Sequence, residues 1–176
     1  MSESYRFVEN RVHFITFAVV GWMDVFTRRE YAEYLLENLT YCRMNKGLRL
    51  YEFVIMPNHL HLIASAEQGN LGEIMRDFKS FTSKELVKRI AANPCESRKE
   101  WMLRVFREHG AANRYNKVHQ FLQQSNRPIL LDDPRRYEQR RRYLLLNPLR
   151  AGLVNDETAY MWSSANAALG FELDGR

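Results

Sequence analysis

The sequence predicts an α+β fold, a ferredoxin-like split βαβ arrangement in which an antiparallel sheet carries helices packed on it. Three observations lead there. Short β-branched and aromatic runs recur along the chain, at 12–20, 48–56, 60–66 and 118–122. Two longer segments of helical period separate the first run from the second and the third from the fourth. A further helical segment follows near residue 134, giving the order strand, helix, strand, strand, helix, strand, helix, with the helices expected on one face of the sheet.

Each element has its own signal. Val12 to Val20 is too short and too apolar for a surface helix and stops at Gly21, so it reads as a buried strand. Thr27 is the expected N-cap of a helix from Arg28 to about Met44, in which Tyr31, Tyr34, Leu35, Leu39 and Cys42 recur at helical spacing before Asn45-Lys46-Gly47 ends it. Leu48–Met56 and Leu60–Ala66 are strand-like, and Pro57-Asn58 folds one back on the other as a hairpin. From Leu71 the positions Ile74, Met75, Phe78, Phe81, Thr82, Leu86 and Ile90 keep a helical period until Asn93-Pro94. The stretch from Cys95 to Asn116 gives no clear element. Val118–Leu122 reads as the fourth strand and Arg127–Leu131 as a short extended arm. Asp132 or Asp133 then caps a helix that starts at Pro134 and runs to Asn147, with Pro148 and Gly152 marking its end. Tyr160–Asn166 reads as a packed turn or short helix.

Composition narrows the function class. With 176 residues, 45% of them hydrophobic and 12% aromatic, the chain suits one globular domain, 1–176 with its core at about 12–162, rather than a disordered segment. The 26 Lys+Arg against 21 Asp+Glu give a net charge of +5, which suits a polyanionic partner without requiring one. Two unpaired-looking cysteines, Cys42 and Cys95, imply no disulfide framework. No window approaches the roughly 20 apolar residues of a membrane span and no signal-like segment follows Met1, so the reading is a soluble, cytoplasmic protein with no membrane partner.

The chemistry-bearing residues are His59 and His61, opening the second hairpin strand. Alternation in a strand puts both imidazoles on one face with Leu60 on the other, so they converge as a pair able to hold a divalent ion while leaving positions for substrate. A bare His-x-His is equally what a packed core histidine beside an incidental one looks like. Far downstream, Tyr143 and Asn147 are i and i+4, so on one helix they share a face: Asn147 could supply an oxygen ligand and Tyr143 a nucleophile. A phenol, with an ordinary pKa near 10, needs a neighbouring cation or base to attack at neutral pH. Arg136, Arg140 and Arg150 fall close to the same stripe and could serve, or else line a solvated face beside a core-packing Tyr143–Leu146 with Asn147 as a C-terminal cap.

Three ordered blocks, Met56-Pro57-Asn58-His59-Leu60-His61-Leu62-Ile63, Phe78-Lys79-Ser80-Phe81-Thr82-Ser83-Lys84 and Tyr143 through Asn147-Pro148-Leu149-Arg150-Ala151-Gly152-Leu153-Val154, resemble the REP-associated tyrosine transposases of the HUH single-tyrosine, IS200-like superfamily. The resemblance runs from about Val12 to Trp162, with Phe14-Ile15-Thr16-Phe17 and Gly21-Trp22 through Phe26 also in keeping. It implies a small nuclease that cleaves and rejoins single-stranded DNA beside hairpins formed by repetitive palindromes. By position, His59, His61 and Asn147 would hold Mg²⁺ or Mn²⁺, and Tyr143 would form a 5′-phosphotyrosine. The sequence departs from the family at Arg142, Leu122 and Arg127, where relatives carry an acidic or small polar residue, a Trp and a His; this bears on substrate preference more than on reaction type.

Phosphate contacts are expected from Arg76, Lys79, Ser80, Ser83 and Lys84 on the long helix together with Arg136, Arg140 and Arg150, and base-stacking partners are sought among Trp101, Tyr115 and Phe121. Two alternatives stand beside the transposase: a domesticated protein that binds hairpins or single strands without cutting, and a metal-dependent phosphodiesterase using water instead of Tyr143. Relatives act as monomers or homodimers, some donating the tyrosine in trans.

Overall fold

In a computed structural model, residues 6–113 and 118–175 are described. β1 (His13–Ala18), α1 (Arg29–Lys46), β2 (Leu48–Met56), β3 (His59–Ala66), α2 (Leu71–Ala92), α3 (Lys99–Ala111), β4 (Ile129–Leu130), α4 (Pro134–Leu145) and α5 (Asn147–Arg150) follow in that order. The four strands form an antiparallel sheet in the order β2-β3-β1-β4, the expected ferredoxin-like arrangement. None of the described helices is long and apolar enough to cross a membrane.

The sheet separates two cores. Alternation along the strands sends Ile15, Phe17, Leu50, Phe53, Ile55, Leu60 and Leu62 to one side, where they meet Leu35, Leu39, Ile74, Phe78 and Leu86 of α1 and α2. Phe14, Val54, Met56 and Ile63 point to the other side and pack on Leu144, with Tyr137 and Leu145 partly buried against them. The helices are therefore not all on one face: α4 crosses the side opposite α1 and α2. The expectation of a single covered face failed because His59, His61 and Ile63 share a parity that also needs cover, and α4 supplies it together with Leu131 and Tyr160.

A bulge in β2 makes this two-sided packing consistent. The register against β3 slips between Leu50 and Glu52, so Leu50 and Phe53 keep one face although they are an odd number of residues apart. Glu52, 3% exposed, thereby shares the α4 face, where it accepts from Arg141 Nε at 2.8 Å and from Ser164 Oγ at 2.6 Å. This pair ties α4 to the sheet two residues before Tyr143.

Other boundaries moved for local reasons. Asp133 caps α4 by accepting from the Arg135 amide at 2.8 Å, ahead of Pro134 at the first turn, as expected. Gly47 ends α1 in the left-handed region, φ 71°. Thr27 does not cap α1; its hydroxyl turns back to the Asp24 carbonyl at 2.9 Å and Arg28 takes the N-cap position. The fourth strand is Ile129–Leu130, in the segment read as an arm, whereas Leu122 makes only an isolated bridge with Val19. β1 accepts both segments on one edge, and the run of apolar residues at 118–122 is spent on packing Phe121 and Leu122 into the core rather than on a ladder. The segment 95–116 contributes α3. Residues 160–166 take the packed turn of the two expected forms rather than the helix: Trp162 O accepts from Ile55 N at 2.8 Å and Ser164 N donates to Phe53 O at 2.9 Å, so the tail covers the β2 edge as a bridge.

Candidate active site

His59 and His61 open β3 on the α4 face, their ring centroids 4.6 Å apart. Tyr143, near the C-terminal end of α4, brings its ring to 5.5 Å from His61 and 6.0 Å from Phe14, which itself lies 5.0 Å from His61. The two strands and the helix converge because Phe14, Val54, Met56 and Ile63 form the floor on which Leu144 sits, so its neighbour Tyr143 is carried to the histidines. All of this occurs within one chain.

The imidazoles are oriented by specific partners. His59 Nδ1 lies 2.7 Å from Asn58 Oδ1, and the Asn58 amide nitrogen donates to Asp24 Oδ1 at 2.9 Å and to Trp22 O at 3.3 Å. Those two acceptors fix the amide, so its oxygen faces the ring and Nδ1 must be the protonated nitrogen, leaving Nε2 as a lone-pair donor. His61 Nδ1 lies 2.8 Å from the hydroxyl of Thr16, its cross-strand neighbour. His61 Nε2 is buried and has no hydrogen-bond partner. A buried polar atom left without a partner costs about 1–3 kcal/mol, and a bound ion would engage this one.

Electrostatics agree with ligation. Burial pushes His59 down to about 4. His61 falls to about 3, chiefly by burial and then by the charges of His59 and Arg140. Both rings are thus neutral at physiological pH, the form that binds a metal. Among the described residues no group of three His, Cys, Asp or Glu could hold a metal, so a further protein donor beside this pair would be neutral, such as an amide, with phosphate and water oxygens completing the shell. The two neutral imidazoles are thus able to hold a divalent ion as a pair, with oxygen donors supplying the rest.

Asn147 does not lie on the Tyr143 helix. α4 ends at Leu145, Leu146 sits at ψ −1°, and α5 restarts at Asn147. Pro148 explains the break: inside a continuous helix its ring would clash with the Leu144 carbonyl, whereas in the first turn of a new helix it is tolerated. Asn147 is half-buried at the start of α5, which packs against β2.

The expected phosphate contacts divide into two groups. Arg140 and Arg150 are at the site: the Arg140 guanidinium lies 5.5 Å from the Phe14 ring centre with its Nε buried and without a partner, and that of Arg150 lies 5.7 Å from the Tyr143 ring. Arg136 is exposed on α4, 3.9 Å from Asp132. Arg76, Lys79, Ser80, Ser83 and Lys84 are on α2, across the sheet from the histidines. Arg76 pairs with Asp77, and Ser80 and Lys84 line a groove between α1 and α2. Lys79, which burial lowers to about 8, donates to the carbonyls of Gln123 and Gln124 at 2.5 and 2.6 Å, so it braces the segment along the β1 edge. Of the aromatic candidates, Phe121 is core, Trp101 is exposed on α3 and Tyr115 lies outside the described residues.

Sequence reasoning missed Thr16, Asn58, Phe14 and Glu52 as parts of the site. A polar Thr16 in an otherwise apolar strand was the available signal; the others depend on register and on the bulge.

Comparison with known proteins bears on the family and the fold. Residues 10–124, more than half of the chain, match the family described as "Transposase IS200 like". The matched segment includes His59 and His61 and ends before α4. No curated protein matches the sequence. A solved REP-associated tyrosine transposase bound to a REP hairpin is similar in fold, with a TM-score of 0.61 at 15% identity over 98% of this chain and 88% of that one. A protein from Deinococcus radiodurans, provisionally named a transposase, aligns with a TM-score of 0.40 at 16% identity over 62% of this chain and 97% of its own. With the match spanning β1 through the histidine hairpin, the chain belongs to the IS200-like transposase family.

Proposed function

We propose that this protein is a REP-associated type of HUH transposase, a DNA transesterase that cleaves and rejoins single-stranded DNA beside a hairpin, with Tyr143 as nucleophile. One observation carries the reading: within a single chain the His61 ring stands 4.6 Å from His59 and 5.5 Å from Tyr143, with its Nε2 buried and unpartnered. The hairpin as substrate rests on the likeness in fold to a transposase bound to one.

In the proposed reaction the Tyr143 oxygen attacks the scissile phosphorus, the bond from phosphorus to the 3′ oxygen breaks, and the phenolic proton is balanced by protonation of the leaving 3′-OH. The products are a 5′-phosphotyrosine and a free 3′-OH. The phosphoester energy is retained, so a second 3′-OH can reverse the step and join strands. Arg150, beside the Tyr143 ring, and Arg140, with an unpartnered Nε, are suited to hold phosphate oxygens. His59 and His61, with Asn147 as the amide candidate, would hold Mg²⁺ or Mn²⁺, which when bound would polarise the phosphate and orient it for in-line attack. The meeting of tyrosine and histidines within one chain supports a tyrosine acting in cis, and with it a monomer as the active form.

Incubating the protein with Mg²⁺ or Mn²⁺ and labelled hairpin DNA carrying a single-stranded tail should yield a covalent adduct that Tyr143→Phe abolishes. An adduct surviving that change overturns the assignment. Tight, steeply salt-dependent binding without cleavage in any metal identifies a non-cutting hairpin binder instead.

A further inference from the structure

We propose that Trp22 is a stacking platform for an unpaired nucleobase beside the scissile phosphate, a subsite that builds on the single-stranded DNA reading above. Trp22 is 58% exposed although it is the most apolar of large rings, and it lies beside His59, with centroids 5.9 Å apart and planes at 78°. Its backbone adopts φ 53°, the left-handed region that bulky side chains avoid, directly after Gly21 at φ 64°. Strain of this kind persists only where surroundings over-determine it, and it gathers at ligand sites.

The surroundings here do over-determine it. Val19 N donates to Asn58 O at 2.9 Å, Val20 N to Phe121 O at 2.9 Å and Phe26 N to Pro57 O at 2.8 Å, so the loop is pinned to the histidine hairpin on either side of Trp22. Trp22 O accepts from the same Asn58 amide that orients His59. Val20, Met23 and Val25 are buried anchors, while the indole between them is turned to solvent. An immobile, exposed aromatic face at the rim of a phosphate-cleaving site is what a splayed base needs, because every base has a π-face and stacking carries no requirement for sequence. His109, whose Nε2 lies 3.9 Å from where a Cβ on Gly21 would stand, flanks the same loop from α3. By contrast, Phe121 is buried and Trp101 is exposed on α3.

The test uses Tyr143→Phe protein without metal, so that binding is read without turnover, and a DNA hairpin with an oligothymidine tail. Trp22→Gly removes the ring while relaxing the left-handed backbone, and should melt no lower than the parent yet bind roughly 10-fold more weakly. Trp22→Phe should fall between. The protein's tryptophan emission should drop on binding, and Trp22→Phe should lose that drop. Scanning single abasic sites along the tail should find one position where the parent weakens to the level of Trp22→Gly and Trp22→Gly weakens no further. Unchanged affinity in Trp22→Gly, or losses that multiply at every position, overturns the stacking subsite while leaving the DNA reading intact. A parent that binds no tailed hairpin overturns the proposed function, and the subsite with it.

Discussion

Asn58 Oδ1 accepts from His59 Nδ1 at 2.7 Å, and the amide cannot turn over because its nitrogen is engaged by Asp24 and by the Trp22 carbonyl. A turn residue between two strands thereby decides which nitrogen of a site histidine is free. Asn58→Leu should lower Mn²⁺ affinity about 10- to 100-fold, measured by electron paramagnetic resonance titration, with little change in melting temperature. Asp24→Asn lets the amide flip and should raise the Nε2–H tautomer of His59 in ¹⁵N spectra of the metal-free protein. An unchanged tautomer ratio in both variants would refute the orienting role.

Thr16 orients the His61 ring through a contact 2.8 Å long between its hydroxyl and Nδ1. Thr16→Val keeps the shape and removes the hydroxyl, so metal affinity should fall about 10-fold or more while Thr16→Ser retains most of it. Calorimetric titration with Mn²⁺ distinguishes the two; equal affinities would discard the contact.

The Glu52–Arg141 pair holds the helix that delivers Tyr143. Arg141→Met removes the cation beside a carboxylate that is 3% exposed and leaves it the Ser164 hydroxyl. Fully buried pairs cost about 3–5 kcal/mol when broken, and since the Arg141 side chain is 35% exposed the expected loss is nearer 2 kcal/mol by urea unfolding. Glu52→Gln together with Arg141→Met should recover part of it. Any adduct formed by Arg141→Met should drop more than binding does, because Tyr143 is mispositioned.

Acid should destabilise the metal-free protein through the histidines. Burial holds His59 at about 4 and His61 at about 3, below the unfolded value near 6.5. Between those values the unfolded chain binds more protons than the folded one, so stability is full above about 6.5 and declines as pH falls towards 4. Melting curves from neutral pH to about pH 5 should slope downward, and His61→Gln should flatten part of the slope. A slope identical in the variant would mean that His61 is not the buried neutral ring described.

Charge on the two sides of the sheet should separate experimentally. Arg140, on the histidine side, should weaken binding of tailed hairpin DNA when changed to Gln and reduce the magnitude of its salt slope by about 1. Arg76→Gln, on the α2 side and already paired with Asp77, should do much less. Equal losses would place the DNA across both faces.

Periodicity and punctuation made most elements legible. Gly47, Pro57-Asn58, Asp133-Pro134 and the alternation of His59 and His61 act within a few residues, where backbone geometry and side-chain parity are decided locally. The 118–122 run misled because apolar β-branched residues read alike whether they pair in a ladder or pack as an irregular edge, and only the competition for the β1 edge separates the two. Pro148 reads locally as the end of a helix at Asn147, whereas its missing donor and ring clash divide that helix before Asn147.

The sequence alone marked the candidate residues: an imidazole pair on one strand face, a tyrosine and arginines on a later helix, and blocks in the order of the IS200-like family. Tertiary structure decided that these meet. The β2 bulge turns Glu52 towards Arg141, α4 covers the face opposite α1 and α2, and Tyr143 reaches His61 within one chain. These outcomes depend on pairing register and on which surface is left uncovered once the rest has packed. Neither quantity is a property of any local stretch of residues.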